Sequence, residues 1–268
     1  MKKKFKLGVI GAGFMSTAIV KGALVSNILD PQEIIVSDVN QSSLDRISEI
    51  GVNVSLDNKF LVEKSEFVLF AVKPQSINEV LEGIKDCTCE KFISIMAGVK
   101  KERIKSVFKT ASVARCMPNT SCSIGLGAVG LDVSDYKDKE DADFVKTLLS
   151  SFGVVVEVDE GKLNAVTGVS GSSPAYFYLF LKGIIESGVK NGLSYEDAKV
   201  LAVNTMIGAG KMVLENSDKS LDDLINAVCS KGGTTIQAVN VYNDSGLDKI
   251  TERAVDACVK RASELENL

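Results

Sequence analysis

The sequence predicts an α/β protein in two parts: a doubly wound, mostly parallel sheet over residues 1–160, then an all-helical segment over 161–268. Three observations carry this. Short apolar runs alternate with helical patterns through the first part, as βαβ units require. The first run, with Leu7, Val9 and Ile10, leads straight into Gly11-Ala12-Gly13 and then a helical stretch from Phe14. After Asp159 the strand-like runs stop, and from Leu163 nearly everything has helical composition and spacing.

The elements follow in order. Strands are predicted at 6–10, 33–37, 67–72, 92–96, 112–116 and 154–158, with helices at 16–25, 42–49, 77–84, 101–108 and 140–152 between them. In the second part Pro174 can open a long helix at its first turn, and Asn191-Gly192 can close it. Ser194 and Asp197 have the spacing of a capping box for a helix reaching about Glu215, and Ser220 with Asp223 start the next. Gly232-Gly233 interrupts, and helices resume over 235–242 and 247–264. Leu201, Ala202, Val203, Met206, Ile207 and Val213 cannot all face one small core. A helix apolar on several faces is covered on several sides, so a homodimer through this segment is expected.

Composition narrows the function. The chain has 268 residues, 45% hydrophobic and 25% charged, with net charge −4 and no histidine. The charge gives no electrostatic case for nucleic acid. No apolar run approaches the length of a membrane span, and Lys2-Lys3-Lys4 precedes too short a run for a signal peptide, so a cytoplasmic location is expected. The cysteines at 87, 89, 116, 122, 229 and 258 form no zinc spacing and read as free, mostly buried thiols. Without histidine the usual general base and commonest metal ligand are missing. Chemistry must run on a cofactor, backbone N–H groups, hydroxyls, lysines or carboxylates, and hydride transfer suits that limit because the cofactor carries the hard step.

Three stretches carry that chemistry. Strand, glycine turn and helix start make a dinucleotide site of the Rossmann kind, because pyrophosphate must nearly touch backbone N–H groups and a side chain on Gly13 would block it. An ordinary βα turn is the plainer alternative. The third small position is Ser16. The second strand ends at Asp38, placed to accept ribose hydroxyls and to repel a 2′-phosphate, which favours NADH; capping the helix from Ser42 is the other role open to it. Ser37, Asn40 and Asn58 offer hydrogen bonds to a 2′-phosphate, so NADPH stays open. Val72, Lys73 and Pro74 end another strand and should line the adenosine side. Met96-Ala97-Gly98 and Arg115–Thr120 end the next two strands, which together describe a groove. In the helical part, Ser230-Lys231-Gly232-Gly233-Thr234-Thr235 places small residues before a helix, an anion site suited to a substrate carboxylate or, more plainly, a capped glycine connection.

These pieces in this order resemble the pyrroline-5-carboxylate reductase family. The resemblance covers essentially the whole chain through GAGFM at 11–15, AVKPQ at 71–75, MAGV at 96–99, RCMPNT at 115–120, SGSSPAY at 170–176 and SKGGTTIQA at 230–238. The last is the most specific. The resemblance implies NADPH- or NADH-dependent reduction of the C=N bond of 1-pyrroline-5-carboxylate to L-proline, the final step of proline synthesis. It implies a Rossmann domain followed by a helical domain interlocked with a partner subunit, with further assembly commonly to decamers. Gly11, Ala12, Gly13, Phe14 and Met15 would hold the pyrophosphate. Asn58, Ala71, Val72, Lys73 and Pro74 would flank the adenosine half, and Met96, Ala97, Gly98 and Asn119 would lie near the nicotinamide. Ser230, Gly232, Gly233 and Thr234 would hold the substrate carboxylate, through the Gly233 and Thr234 N–H groups, and Thr235 would place its hydroxyl at the ring nitrogen.

The chain departs from the family at Lys231 and Ser121, where proline is usual, and at Ser173, where glycine is usual. None removes a group assigned to chemistry. A β-hydroxyacid dehydrogenase shares the general plan, but Lys182 and Lys190 sit in no matching motif. Reduction of a related cyclic imine, or a non-catalytic dinucleotide-sensing regulator, are the other readings. The second anion loop argues against the regulator.

Overall fold

The computed structural model describes residues 3–266. Eight strands form one sheet in the order β3-β2-β1-β4-β5-β6-β7-β8. They are β1 Phe5–Ile10, β2 Ile34–Ser37, β3 Asn53–Ser55, β4 Ser65–Phe70, β5 Lys91–Ser94, β6 Ser112–Met117, β7 Gly127–Asp132 and β8 Gly153–Glu157. All pairs are parallel except β6 with β7. The helices of this part are α1 Phe14–Val25, α2 Gln41–Ser48, α3 Asn58–Lys64, α4 Ile77–Ile84, α5 Lys101–Lys105 and α6 Lys139–Ser150. Successive strand residues feed two separate cores. Phe67 and Leu69 of β4 join Ile19, Val20, Leu44 and Leu148 on one face, while Val68 and Phe70 join Leu61, Leu81 and Ile104 on the other. This is the doubly wound sheet expected from the alternating runs.

The sequence pattern does not reveal β3, α3 or β7. Strand β3 has only three residues, two of them polar. In β7, Gly127 and Gly130 mimic turn signals, but both are required by close packing: a Cβ on Gly130 would stand 2.7 Å from Val166 Cγ1.

The chain continues as α7 Leu163–Val166, a π-turn over Thr167–Gly171, α8 Ser173–Lys190, α9 Tyr195–Glu215, α10 Leu221–Val228, α11 Thr234–Asp244 and α12 Leu247–Leu265. Ser194 and Ser220 cap α9 and α10 through Asp197 N and Asp223 N, as their spacing predicts. Compactness divides the chain later than the 160/161 boundary drawn where strands stop. One unit runs to Pro174 and takes back the residues from Cys258; the other is Ala175–Ala257. The first unit reclaims the end of α12 through Asn164 Nδ2 to Ser263 Oγ at 3.1 Å and Cys258 Sγ to Ser172 Oγ at 3.2 Å.

The second unit has little interior of its own. Ile185, Ala198 and Ala202, with Leu181 against them, form its buried cluster. Between α8 and α9 lies an apolar groove of about 760 Å³ that includes Phe177, Phe180, Leu201 and Val213. Leu201 and Ile207 are more than half exposed in the single chain, the surplus apolar surface that the sequence assigns to a partner subunit. Among the described residues no helix is long and apolar enough to cross a membrane.

A buried charge cluster pins α5 to the sheet. Lys101, 7% exposed, places Nζ 3.2 Å from Asp132 Oδ1, 3.0 Å from Asp135 Oδ1 and 3.1 Å from Ser134 Oγ. Burial opposes the charge on Asp132, yet the Ser134 hydroxyl and amide and Lys101 hold its pKa below the ordinary carboxylate range. Asp135 is held low in the same way by Lys105 and Lys101. A carboxyl with a depressed folded pKa contributes stability that is complete above its unfolded pKa and is lost as pH falls through the folded one. Lys101→Met lifts both folded pKa values, so its loss of stability begins at higher pH. The expected cost near neutrality is about 3 kcal/mol, because two carboxylates lose a buried partner. Urea unfolding of parent and variant across the acid range checks both the cost and the shift; superimposable curves would count against the cluster as a stabilising element.

Candidate active site

The glycine turn is built by two opposite demands. Gly11 has φ of +107°, and a Cβ there would stand 2.6 Å from the Ala71 carbonyl oxygen. Its N–H donates to Ser37 O at 2.7 Å, while Ala71 N donates to Ile10 O at 2.9 Å. The ends of β1, β2 and β4 are thereby drawn together, and Gly11, Ser37 and Ala71 meet. Gly13 differs. It is the N-cap of α1 in extended backbone, with no side-chain cap, and a Cβ there would meet nothing within 4 Å. Steric need inside the protein explains Gly11 but not Gly13. What Gly13 keeps open is the space in front of the first-turn amides of α1, a cradle that a side chain would fill. Phe14 beside it is 64% exposed. Ser16, at the third small position, is buried and donates its hydroxyl to Gly13 O at 2.9 Å, so helix and strand accommodate it.

Asp38 is held by backbone. Its Oδ2 accepts from Ala12 N at 2.7 Å and its Oδ1 from Asn40 N at 2.8 Å. The alternative role of capping α2 falls instead to Asn40, whose side chain accepts from Ser42 N. A fixed carboxylate therefore sits between the glycine turn and the end of β2. Asn58, at the start of α3, accepts from the Ser37 hydroxyl at 2.6 Å. Of the three side chains that could meet a 2′-phosphate, Ser37 and Asn58 are thus engaged with each other and Asn40 with Ser42.

Ala71, Val72, Lys73 and Pro74 follow β4, with Lys73 exposed. Met96, Ala97 and Gly98 follow β5; Met96 and Gly98 are buried, and Gly98 has φ of +73°. Asn119, after β6, turns its side chain inward. Its Nδ2 donates to Ser170 O at 3.3 Å and its Oδ1 accepts from Ala128 N at 3.3 Å. It ties the strand end to β7 and the π-turn. Ser173, the departure from glycine, donates its hydroxyl to Val169 O at 2.5 Å and Gly168 O at 3.1 Å, which accounts for a serine in that buried place.

In the second unit the Ser230–Thr235 segment is a tight loop opening α11. Gly232 has φ of +76°, Gly233 N donates to Ser230 O at 3.0 Å, and a Cβ on Gly233 would collide with Ser230 Oγ. Gly233 is the N-cap of α11 and has no side-chain cap. Thr234 and Thr235 are exposed, as is Lys231. The loop geometry is that of an uncapped helix N-terminus with hydroxyls beside it. The predicted residues thus form two groups, fourteen around the sheet ends with Asn119 behind them in the first unit, and the 230–235 loop in the second.

The six cysteines are free. Cys87, Cys89, Cys116 and Cys122 are buried, and burial raises the thiol pKa of all four. They are packing residues, as their spacing suggests.

A glycine-turn cradle on a doubly wound sheet, followed by an all-helical segment, defines a dinucleotide-dependent oxidoreductase of the two-domain kind. Comparison with known proteins agrees at both levels. A family model described as NADP oxidoreductase, coenzyme F420-dependent, matches residues 6–98, and one described as pyrroline-5-carboxylate reductase dimerisation matches residues 160–265. The pyrroline-5-carboxylate reductase of Haemophilus influenzae is 36% identical over 266 residues, covering 98% of both chains. That of Methanosarcina acetivorans is 34% identical over 97% of both. Among solved structures, a pyrroline-5-carboxylate reductase from Coxiella burnetii superposes with a TM-score of 0.89 at 33% identity, covering 98% of this chain and 99% of that one. The Plasmodium falciparum pyrroline carboxylate reductase with NADP bound gives a TM-score of 0.85 at 26% identity, covering 99% of this chain and 100% of that one. The chain belongs to the pyrroline-5-carboxylate reductase family, and its helical segment is the family's dimerisation domain.

Proposed function

We propose that this protein reduces the C=N bond of 1-pyrroline-5-carboxylate with NADPH or NADH to give L-proline, the last step of proline biosynthesis, in the cytoplasm. The observation that carries the reading is Gly13, a glycine that the protein's own packing does not require, at an uncapped helix N-terminus in a chain related over its full length to reductases of this name. Gly11 to Met15 hold the pyrophosphate on the first-turn amides of α1. Asn58 and Ala71 to Pro74 flank the adenosine half. Met96 to Gly98 border the nicotinamide, and Asn119 acts by fixing the end of β6. The reduced nicotinamide, when bound, supplies the hydride.

The protein's own task is positioning. A protonated cyclic imine is already a strong acceptor, so the chain needs to orient it and keep its proton in place. The Gly233 and Thr234 N–H groups bind the carboxylate at the start of α11, where the helix dipole favours an anion. The Thr235 hydroxyl hydrogen-bonds the ring nitrogen. None of these steps needs a histidine. Asp38, fixed by two backbone N–H groups, repels a 2′-phosphate and favours NADH. The functional units are a homodimer and its further assemblies, decamers included.

The test is loss of reduced-nicotinamide absorbance with racemic 1-pyrroline-5-carboxylate, run with NADH and with NADPH. Turnover is expected with both, and kcat/KM is expected to be larger for NADH. Thr235→Ala is expected to lower kcat/KM by roughly 10–100-fold, the scale of removing one or two hydrogen bonds from a transition state, with Thr235→Ser largely restored. Unchanged kinetics in Thr235→Ala would remove that hydroxyl from the mechanism. No turnover with either cofactor, in folded dimeric protein, would overturn the assignment.

A further inference from the structure

Arg115 is one of the most buried charged residues among those described, 3% exposed, on the interior strand β6. Its two terminal nitrogens go to different carboxylates: Nη1 lies 3.3 Å from Glu160 Oε1 and Nη2 lies 3.0 Å from Glu266 Oε1. Those carboxylates stand at the first residue of the segment that matches the dimerisation model, residues 160–265, and at the residue just after its end. One buried guanidinium thus grips the chain where it leaves the sheet and where it returns. Its planar fork suits two carboxylates at once. Both ends are reinforced. Glu160 Oε1 also accepts from Lys101 N at 2.8 Å, and Glu266 Oε2 lies 3.4 Å from Lys100 Nζ. Burial opposes the charge on Glu266, but Arg115, Asn164 and Lys100 hold its pKa below the ordinary range.

The return end presses on a loop assigned to the cofactor. Gly98 is in left-handed backbone, and a Cβ there would stand 2.8 Å from Leu265 Cβ and 3.1 Å from the Leu265 carbonyl carbon. Leu265 and Glu266 share with Pro74, Gly98 and Val99 the wall of a cavity of about 840 Å³. The last turn of α12 is therefore the backing of the turn that follows β5. Besides the Asn164–Ser263 hydrogen bond one turn back, the ion pairs and the Leu265 contact hold it there.

We propose that Arg115 and Glu266 form a latch that holds the last turn of α12 against the Gly98 turn and so sets the position of the Met96–Gly98 segment. Both are positioning residues, and Leu265 is the element through which they act. The proposal rests on the reading that residues 96–98 border the nicotinamide. A backing that moves by a fraction of an ångström moves the hydride donor relative to the imine, and misplacement by about 1 Å costs on the order of 100-fold in rate. The imine carboxylate is bound elsewhere, on the 230–235 loop, so its affinity should be insensitive to the latch.

The experiment compares Glu266→Ala, Glu266→Gln and Leu265→Ala with the parent in the full-length dimer, using steady-state kinetics, light scattering and thermal melts. Glu266→Ala and Leu265→Ala are expected to lower kcat about 5–20-fold and raise the KM for the reduced nicotinamide cofactor severalfold, as partial misplacement implies. The KM for 1-pyrroline-5-carboxylate should stay within about twofold and the dimer should persist. Glu266→Gln, which keeps a hydrogen-bond acceptor, should recover part of the loss. A purely structural role would lower the melting temperature and the folded fraction while leaving the constants per folded site unchanged, and that result would overturn the latch. Ala97→Phe tests the underlying reading separately. If it leaves the cofactor KM unchanged, the 96–98 assignment fails and the latch falls with it. If it weakens cofactor binding while the Glu266 and Leu265 variants behave as the parent, the latch alone is overturned.

Discussion

Gly13→Val is expected to fold as the parent does and to lose its cofactor. Backbone φ at Gly13 is −80° and ψ −173°, a region open to any residue. A Cβ there meets no atom within 4 Å, so the branching carbon of valine has room in the protein itself. Valine is a poorer N-cap than glycine by about 1 kcal/mol, which a full domain tolerates. The methyl groups, however, project into the space in front of the first-turn amides. If pyrophosphate lies there, kcat/KM for NADH and NADPH should fall by about 100–1,000-fold, roughly 3–4 kcal/mol of lost binding. Gly11→Ala is the informative contrast. At φ of +107° with the Ala71 carbonyl 2.6 Å from the new Cβ, it should cost about 3 kcal/mol or more of stability before any cofactor is added. Melting curves with and without cofactor, beside steady-state kinetics, separate the two glycines. Parent-like cofactor KM values in a folded Gly13→Val would remove the cradle from the site.

That contrast also marks how far the sequence can be read. Both glycines are legible as one motif, because strand, turn and helix start are contiguous. Their different reasons are not, since one answers to Ala71 across the sheet and the other to open space. The same limit holds for Asp38: its position at the end of β2 follows from the strand pattern, but its bond to Ala12 N joins residues 26 apart and removes it from the helix cap. The helical part is legible almost element by element, since caps such as Ser194 with Asp197 and breaks such as Asn191-Gly192 are local signals. Strand β7 is not, because its glycines serve contacts with Phe152 and Val166 that lie outside any local window. Least legible is the pairing of Arg115 with Glu266, 151 residues apart, where no periodicity or spacing connects the partners.

Leu201→Glu is expected to split the dimer and with it the enzyme. The second unit buries Ile185, Ala198 and Ala202 around Leu181, far too little for a unit of roughly 80 residues to be stable alone. Its larger apolar surfaces, Phe177, Leu201, Ile207, Met212 and Leu214 among them, are exposed in the single chain. In a member of a family whose helical segment is a dimerisation domain, those are the surfaces available to supply the missing core. Folding of this unit and association are then one equilibrium. A carboxylate at 201 would be buried without a partner, at about 3 kcal/mol or more. A two-fold interface repeats the cost in the other subunit, about 6 kcal/mol or more in total, so the dimer dissociation constant should rise by about 10,000-fold or more. Sedimentation across protein concentration should show monomer where the parent is dimeric, specific activity should fall on dilution, and the melting temperature should depend on concentration. Leu201→Met, which conserves volume, should remain dimeric and active. A dimeric, fully active Leu201→Glu would mean that the partner covers a different face of α9, and that the groove beside Phe177 and Phe180 serves something other than assembly.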